Sequence, residues 1–326
     1  HPEEYGAGFW AVTSYDLVKK IELDPETYSS QKGGILMNYG MEGTPRHPLL
    51  HSSSLNSLIN LDRPYHTPLR MEHMAYFRAD FVAELRKRVA AHVDVLLDHM
   101  LAQGQVVDMV ELFSAELPLF TLCEILGVPP ADRPKLVHWM HFLETSQYQA
   151  QQEGLGNVSM EQITAFMNEI QAMFDYGRSL LAERRKNPQP DLLSAIANVE
   201  IDGKPLSPEF LDGSWLLIVV TELGGQAIAE GEKLVMYYAA ANRDPAKFDN
   251  PDTYDITRAN AKEHLAFGHG PHVCLGQRVA NMQLDAAYRQ ILSRFPDIAW
   301  TGEQEIAPNN FVHAISKLMV DMGKPA

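Results

Sequence analysis

A mainly α-helical fold with a minor β portion follows from three observations. Apolar residues recur at helical spacing through most of the stretch from Leu69 to Trp215. Strand-like runs are confined to the first 60 residues and to the stretch after residue 221. Breakers rich in proline and glycine separate the helical segments. At 326 residues the chain can bury a large core, as one big domain or two.

Gly8-Phe9-Trp10-Ala11-Val12-Thr13 is a strand candidate, and Tyr15 to Ile21 a short helix. Gly33-Gly34 and the stretch from Gly40 to Pro48 mark irregular structure. Val82, Leu85, Val89, Val93, Leu96, Leu97 and Met100 fall on one face and predict an amphipathic helix. Further helices are expected over 112–126, 134–147, 159–186 and 191–199. The breaker Gly127-Val128-Pro129-Pro130-Ala131-Asp132 ends the first of these, and Asp132 can cap the next. Ser207-Pro208-Glu209 starts another helix: serine caps, proline fits the first position, and an early acid suits the dipole. Leu223 to Ile228 followed by Glu230 to Val235 has the pattern of a tight β-hairpin. A last long helix is expected from about Leu275 to Arg294, ending before Phe295-Pro296.

Composition narrows the function classes. Hydrophobic residues make up 45% and charged residues 21%, as in an ordinary globular protein. The longest apolar run, Trp215 to Val220, falls far short of the roughly 18–20 residues that span a bilayer. The opening His1-Pro2-Glu3-Glu4-Tyr5 lacks the charged and apolar regions of a signal peptide, so a soluble, cytoplasmic protein is expected. Further residues are expected to precede His1. A net charge of −15, from 42 acidic and 27 basic residues, argues against nucleic-acid binding. Two cysteines exclude a disulfide framework and a four-cysteine zinc site. Cys123 sits in the apolar stretch Phe120 to Leu126 and reads as a small buried hydrophobe.

Cys274 is placed differently. It ends the segment Ala266-Phe267-Gly268-His269-Gly270-Pro271-His272-Val273-Cys274 and is followed by Leu275-Gly276-Gln277-Arg278. The glycines let the backbone turn sharply and approach a flat object closely, and Pro271 stiffens the turn. The loop presents one soft sulfur at the mouth of a helix, near the positive end of its dipole. Three other readings of these residues stay open. A phosphate loop is disfavoured because the spacing is neither G-x-G-x-x-G nor a P-loop. A metal site built on His269, His272 and Cys274 lacks a partner cysteine and a fourth ligand. A cysteine nucleophile would find bases in the neighbouring histidines.

Phe267-Gly268-x-Gly270-x-His272-x-Cys274-x-Gly276 resembles the cysteine-ligand loop of the cytochrome P450 family, a highly specific signature. The resemblance implies a single domain over 1–326 with haem b held between a central helix and this loop. It makes Cys274 the axial ligand to the iron and His272 a propionate contact, with Phe267, Gly268, Gly270 and Gly276 at the loop's structural positions. Asp62-Arg63-Pro64-Tyr65-His66-Thr67-Pro68-Leu69-Arg70 is similar to the family's helix-C entrance, where His66 and Arg70 would clamp the propionates. Glu222 to Lys233, Ala241-Asn242-Arg243-Asp244-Pro245 and Phe311-Val312-His313 also look like family segments, so the likeness covers nearly the whole chain. It is nearest to the soluble bacterial members.

Two family features are missing. The acid or amide followed by threonine, carried by the central helix near the O2 site, has no counterpart, and no E-x-x-R occurs between Val220 and Cys274. An arginine position within Pro251-Asp252-Thr253-Tyr254 holds Thr253. The apolar helix ending at Val220 joins the strand-like Thr221-Glu222-Leu223 without a turn residue, so a segment of several tens of residues is expected to be absent between residues 220 and 221.

What the resemblance implies is a monooxygenase that inserts one oxygen atom of O2 into an apolar small molecule. Gly8 to Val12 and Gly33-Gly34-Ile35 lean toward members that oxidise steroids and other terpenoids. The expected pocket residues are Met140, Phe142, Leu143, Leu217, Val220, Phe311 and Val312, each of which would equally serve as ordinary core. With no flavin or iron–sulfur signature in the chain, electrons come from a partner, a ferredoxin and its reductase. Arg63, Arg70 and Arg278 are expected to meet that acidic partner. A haem-binding sensor or carrier without turnover is the competing reading, and a monomer is expected.

Overall fold

The computed structural model describes residues 8–31, 48–140, 142–143, 159–201, 203–219, 233–306 and 315–326. They form a mainly α structure with three small sheets. The chain falls into two compact units interleaved along the sequence. One comprises His1–Met71, Met167–Arg178 and Val199–Leu275; the other comprises Glu72–Phe166, Ser179–Asn198 and Gly276–Ala326.

In the first unit, strand β1 (Phe9–Val12) buries Phe9 and Val12 and exposes Trp10. Helix α1 (Tyr15–Glu22) follows at once and buries Tyr15, Val18 and Ile21, a stripe at three-residue spacing. Lys233–Met236, which we label β5, pairs in parallel with β1, Val12 opposite Met236. The rest of the expected hairpin, and the junction of residues 220 and 221, lie outside the described residues. Val12, Tyr15, Val18 and Ile21 pack with Leu234, Ala241, Phe248 and Leu265 in one cluster. Each large side chain there contributes about 1.5–3 kcal/mol by leaving water.

The same unit contains α2 (Pro48–Leu55), α3 (His66–His73, which runs on past the unit's boundary) and α8 (Pro208–Val219), the last starting where Ser207-Pro208 predicts. Helices α2 and α8 pack closely, because Gly213 on α8 meets the backbone of Asn56 where a Cβ would stand 2.4 Å from the Asn56 carbonyl oxygen. Trp215 is fully buried, and its Nε1 donates to the Met173 carbonyl at 3.1 Å.

In the second unit, α4 (Ala79–Gln103) buries all seven residues of the predicted stripe. Helix α9 (Gln277–Arg294) packs along it, with Gln290 Nε2 donating to the Ala90 carbonyl at 3.1 Å and Arg86 paired with Asp285. The helix expected over 112–126 is broken at Ala115, where a π-helical turn (Val110–Ser114) gives way to α5 (Glu116–Leu126). Gly127 closes α5 in the left-handed conformation at φ 74°. The breaker that follows holds a 3-10 turn, Pro130–Asp132, and residues 133–140 are helical. Helix α6 (Met160–Lys186), whose middle, Met167–Arg178, belongs to the first unit, begins at a capping box: Ser159 Oγ accepts from the Gln162 amide and Gln162 Oε1 from the Ser159 amide. Helix α7 (Leu192–Asn198) starts where Asp191 accepts from the Ser194 amide at 2.8 Å.

The unit also holds a sheet of order β2-β7-β6 that the sequence does not signal: Val106–Asp108, Ile315–Asp321 and Ala299–Ile306, all antiparallel. Every residue of Ala299–Ile306 is exposed, so the strand carries no apolar alternation to read.

Candidate functional site

The Cys274 loop is built by its own backbone. Gly268 N donates to the Leu265 carbonyl at 2.9 Å, Val273 N to Gly270 at 3.2 Å, and Cys274 N to Phe267 at 2.7 Å. Gly268 and Gly270 take φ of 68° and 65°, which side-chain-bearing residues rarely adopt. The close approach these glycines permit is to α1: a Cβ on Gly270 would lie 2.1 Å from the Glu22 carbonyl oxygen. Gly276 is the N-cap of α9, so the helix opens at Gln277, two residues later than expected. Cys274 itself is exposed on this turn, while Cys123 is buried as expected and burial pushes its thiol up.

The other residues read from the motif converge on the loop. His66 and Arg70 sit four apart on α3, hence on one face. The His66 and His272 rings lie 4.3 Å apart, and Arg70 Nη2 donates to the Val273 carbonyl at 2.6 Å. Sequence reasoning missed this last bond, because nothing local to either residue signals it. Burial, followed by the charges of His272, Arg70 and Arg63, pushes His66 down to about 4. Burial also holds His272 below the usual imidazole range, with Asp62 opposing and Arg70 adding to the effect. Arg70 is held down by burial and pulled back up by Cys274.

The residues present fit a haem carrying two carboxylates. His66 Nε2 and His272 Nδ1 are buried and have no hydrogen-bond partner among the described residues. Two buried imidazole nitrogens and a guanidinium beside an exposed sulfur make a donor set suited to a thiolate-ligated group with anionic arms.

Elsewhere the expected residues are placed less sharply. Phe142 stacks on Phe166 at 5.5 Å and Leu143 is buried, so both have packing partners of their own, and Met140 is half-buried. Val220, Phe311, Val312 and the side chain of Leu217 lie outside the described residues. Arg63 is exposed and pairs with Glu26 at 3.4 Å, and Arg278 donates to the Phe77 carbonyl at 2.9 Å. Among the described residues no three His, Cys, Asp or Glu side chains are grouped to hold a metal ion. No described helix is long and apolar enough to cross a membrane. A cleft of about 520 Å³ lined by Arg243, Tyr254, Arg258 and His264, among others, contains no residue of the Cys274 loop.

Comparison with known proteins agrees with this fold. The family model described as Cytochrome P450 matches residues 218–318. Linalool 8-monooxygenase of Pseudomonas putida is 27% identical, over 98% of this chain and 91% of its own length. Steroid C26-monooxygenase of Mycobacterium tuberculosis is 27% identical, over 96% of this chain and 94% of its own. A Mycobacterium marinum cytochrome P450 solved in complex with pseudoionone superposes with a TM-score of 0.82 at 28% identity, covering 98% of this chain and 88% of that one. The fold is thus that of the solved cytochromes P450. Residues 218–318 match the cytochrome P450 family model, and nearly the whole chain is similar to monooxygenases and to a solved cytochrome P450. The alignment to the linalool enzyme runs over 384 positions against a chain of 326, so at least 58 aligned positions (384 − 326) have no residue here.

Proposed function

We propose that the chain holds haem b through the thiolate of Cys274 and hydroxylates an apolar small molecule of the terpenoid or steroid class with O2. The observation that carries this reading is the exposed Cys274 sulfur on a loop fixed by three backbone bonds, beside buried and unpartnered His66 Nε2 and His272 Nδ1. His66, Arg70 and His272 hold the propionates, and Phe267, Gly268 and Gly276 shape the loop. When bound, haem supplies O2 activation, which a thiolate ligand favours by pushing electron density toward O–O cleavage. The names of similar proteins, a linalool 8-monooxygenase, a steroid C26-monooxygenase and a methyl-branched lipid omega-hydroxylase, support an apolar substrate. Leu217, Val220, Phe311 and Val312 are proposed to line its pocket, together with Met140, Phe142 and Leu143.

A ferredoxin with its reductase delivers the electrons, in a cytoplasmic, monomeric protein. The exposed Arg63 and Arg278 are the cations proposed to meet it. Arg63→Glu and Arg278→Glu should slow reduction and flatten its dependence on salt. Kinetics unchanged across ionic strength would remove that role.

The aligned positions without a residue here support a segment absent between residues 220 and 221, the place where the oxygen-activating acid and threonine are missing. If purified protein yields a peptide running directly from Val220 to Thr221, the native chain lacks the segment. The second reading, haem binding without turnover, then gains ground.

The first experiment is the difference spectrum of reduced protein with and without carbon monoxide, on wild type and Cys274→Ser. A strongly red-shifted Soret band in wild type alone is expected. A histidine-type band, or no haem signal, defeats the assignment of Cys274. Product formed with a surrogate oxidant then separates the monooxygenase from a carrier.

A further inference from the structure

One buried carboxyl beside the Cys274 loop has no part in the site described so far. Glu22 is the last residue of α1. Its Oε1 accepts from the Tyr238 hydroxyl at 2.6 Å, and its Oε2 is buried without a hydrogen-bond partner among the described residues. Burial raises the Glu22 carboxyl above its usual range, and burial with Glu22 nearby raises Tyr238.

The loop is fitted to this group. A Cβ on Gly268 would stand 3.0 Å from Glu22 Oε1, and one on Gly270 would overlap the Glu22 carbonyl. The opposite end of α1 holds the approach to the loop, where Tyr15 Oη donates to the Glu263 carbonyl at 2.8 Å and Tyr15 N to Asp244 at 2.9 Å. Helix α1 therefore grips the segment before the loop with its first residue and the crown of the loop with its last. Cys274 N is bonded to Phe267 and Val273 N to Gly270, so a shift of the turn at Gly268 and Gly270 is carried to the residue bearing the sulfur.

We infer that Glu22 is a positioning residue for Cys274: held by Tyr238, it packs against the turn at Gly268 and Gly270 and so fixes the loop that presents the sulfur to the iron. This rests on the haem-thiolate reading above. A pair that only stabilises the fold would lower melting temperature and leave ligation untouched, whereas a positioning pair changes the ligand's spectrum and the retention of haem.

The test uses holoprotein carrying Glu22→Ala, Glu22→Gln or Tyr238→Phe. It reads the ferrous carbon monoxide spectrum and the rate of haem loss to an excess of a haem-scavenging apoprotein. Glu22→Ala should lose haem about tenfold faster, in line with the loss of a group that orients a metal ligand, and show a larger non-thiolate band. Glu22→Gln keeps an acceptor oxygen and should stay near wild type, with Tyr238→Phe in between. Wild-type spectra and rates in Glu22→Ala overturn the inference, as does a Glu22→Gln variant as damaged as Glu22→Ala. Should Glu22→Ala not fold, Tyr238→Phe decides in the same way. A thiolate band in wild type with unchanged variants overturns this inference alone, while its absence in wild type overturns the proposed function as well.

Discussion

Arg70 Nη2 donates to the carbonyl oxygen of Val273 at 2.6 Å, tying α3 to the residue just before Cys274. A guanidinium offers five donors in a planar fork, enough to hold this carbonyl and an anion at once, and lysine cannot reproduce that geometry. Arg70→Lys should therefore retain less haem than wild type and Arg70→Ala least, by roughly tenfold in affinity if one charge-assisted bond is lost. Haem-to-protein ratios and release rates measure this. Equal retention in Arg70→Lys and wild type would reduce Arg70 to a generic cation.

His66 makes the apoprotein acid-sensitive. Its folded value of about 4 lies below the ordinary 6.5, so the unfolded chain binds more protons between those limits. The stability tied to neutral His66 is complete above about pH 6.5 and is lost as pH falls toward 4, by up to ~3 kcal/mol. His272 is shifted in the same direction and adds to the slope. Urea midpoints of the apoprotein at pH 7 and pH 4.5 should differ less in His66→Leu than in wild type. The same difference in both proteins would count against a buried neutral His66.

Gly213 is required by packing. A methyl group there meets the Asn56 carbonyl oxygen at 2.4 Å, a backbone atom that cannot swing aside. Gly213→Ala should destabilise the protein by about 1–3 kcal/mol, as overpacking does, despite alanine's better helix propensity. A rise in the denaturation midpoint would mean that α2 and α8 do not pack this closely.

Arg184 and Asp191 form an ion pair with side chains only 11% and 7% exposed. Arg184 Nη2 also donates to the Gly127 carbonyl at 2.8 Å, and Asp191 caps α7 through the Ser194 amide. Asp191→Ala leaves the buried Arg184 guanidinium with only the half-exposed Glu183 as an ionic partner and should cost about 1–3 kcal/mol. Adding Arg184→Met should recover part of that loss in a double-mutant cycle. Additive losses would show that the two charges are not coupled.

Much of the fold is legible in the sequence because its signals are local. The buried stripe of α4, the start of α8 at Ser207-Pro208 and the span of α6 each rest on spacings or caps within a few residues. The break at Ala115 and the exposed strand Ala299–Ile306 escape, since neither leaves a periodic pattern in its own residues.

The same division runs through the site. The sequence by itself set Cys274 on a glycine-rich loop at a helix mouth, and its resemblance to the cytochrome P450 cysteine loop pointed to His66, Arg70 and His272 as neighbours. Only the tertiary structure decided what holds the loop in place. Arg70 meets Val273 across 203 positions and Tyr238 meets Glu22 across 216. No spacing rule reaches that far: such bonds form only after helices and strands have buried their apolar faces and brought the polar groups together out of water.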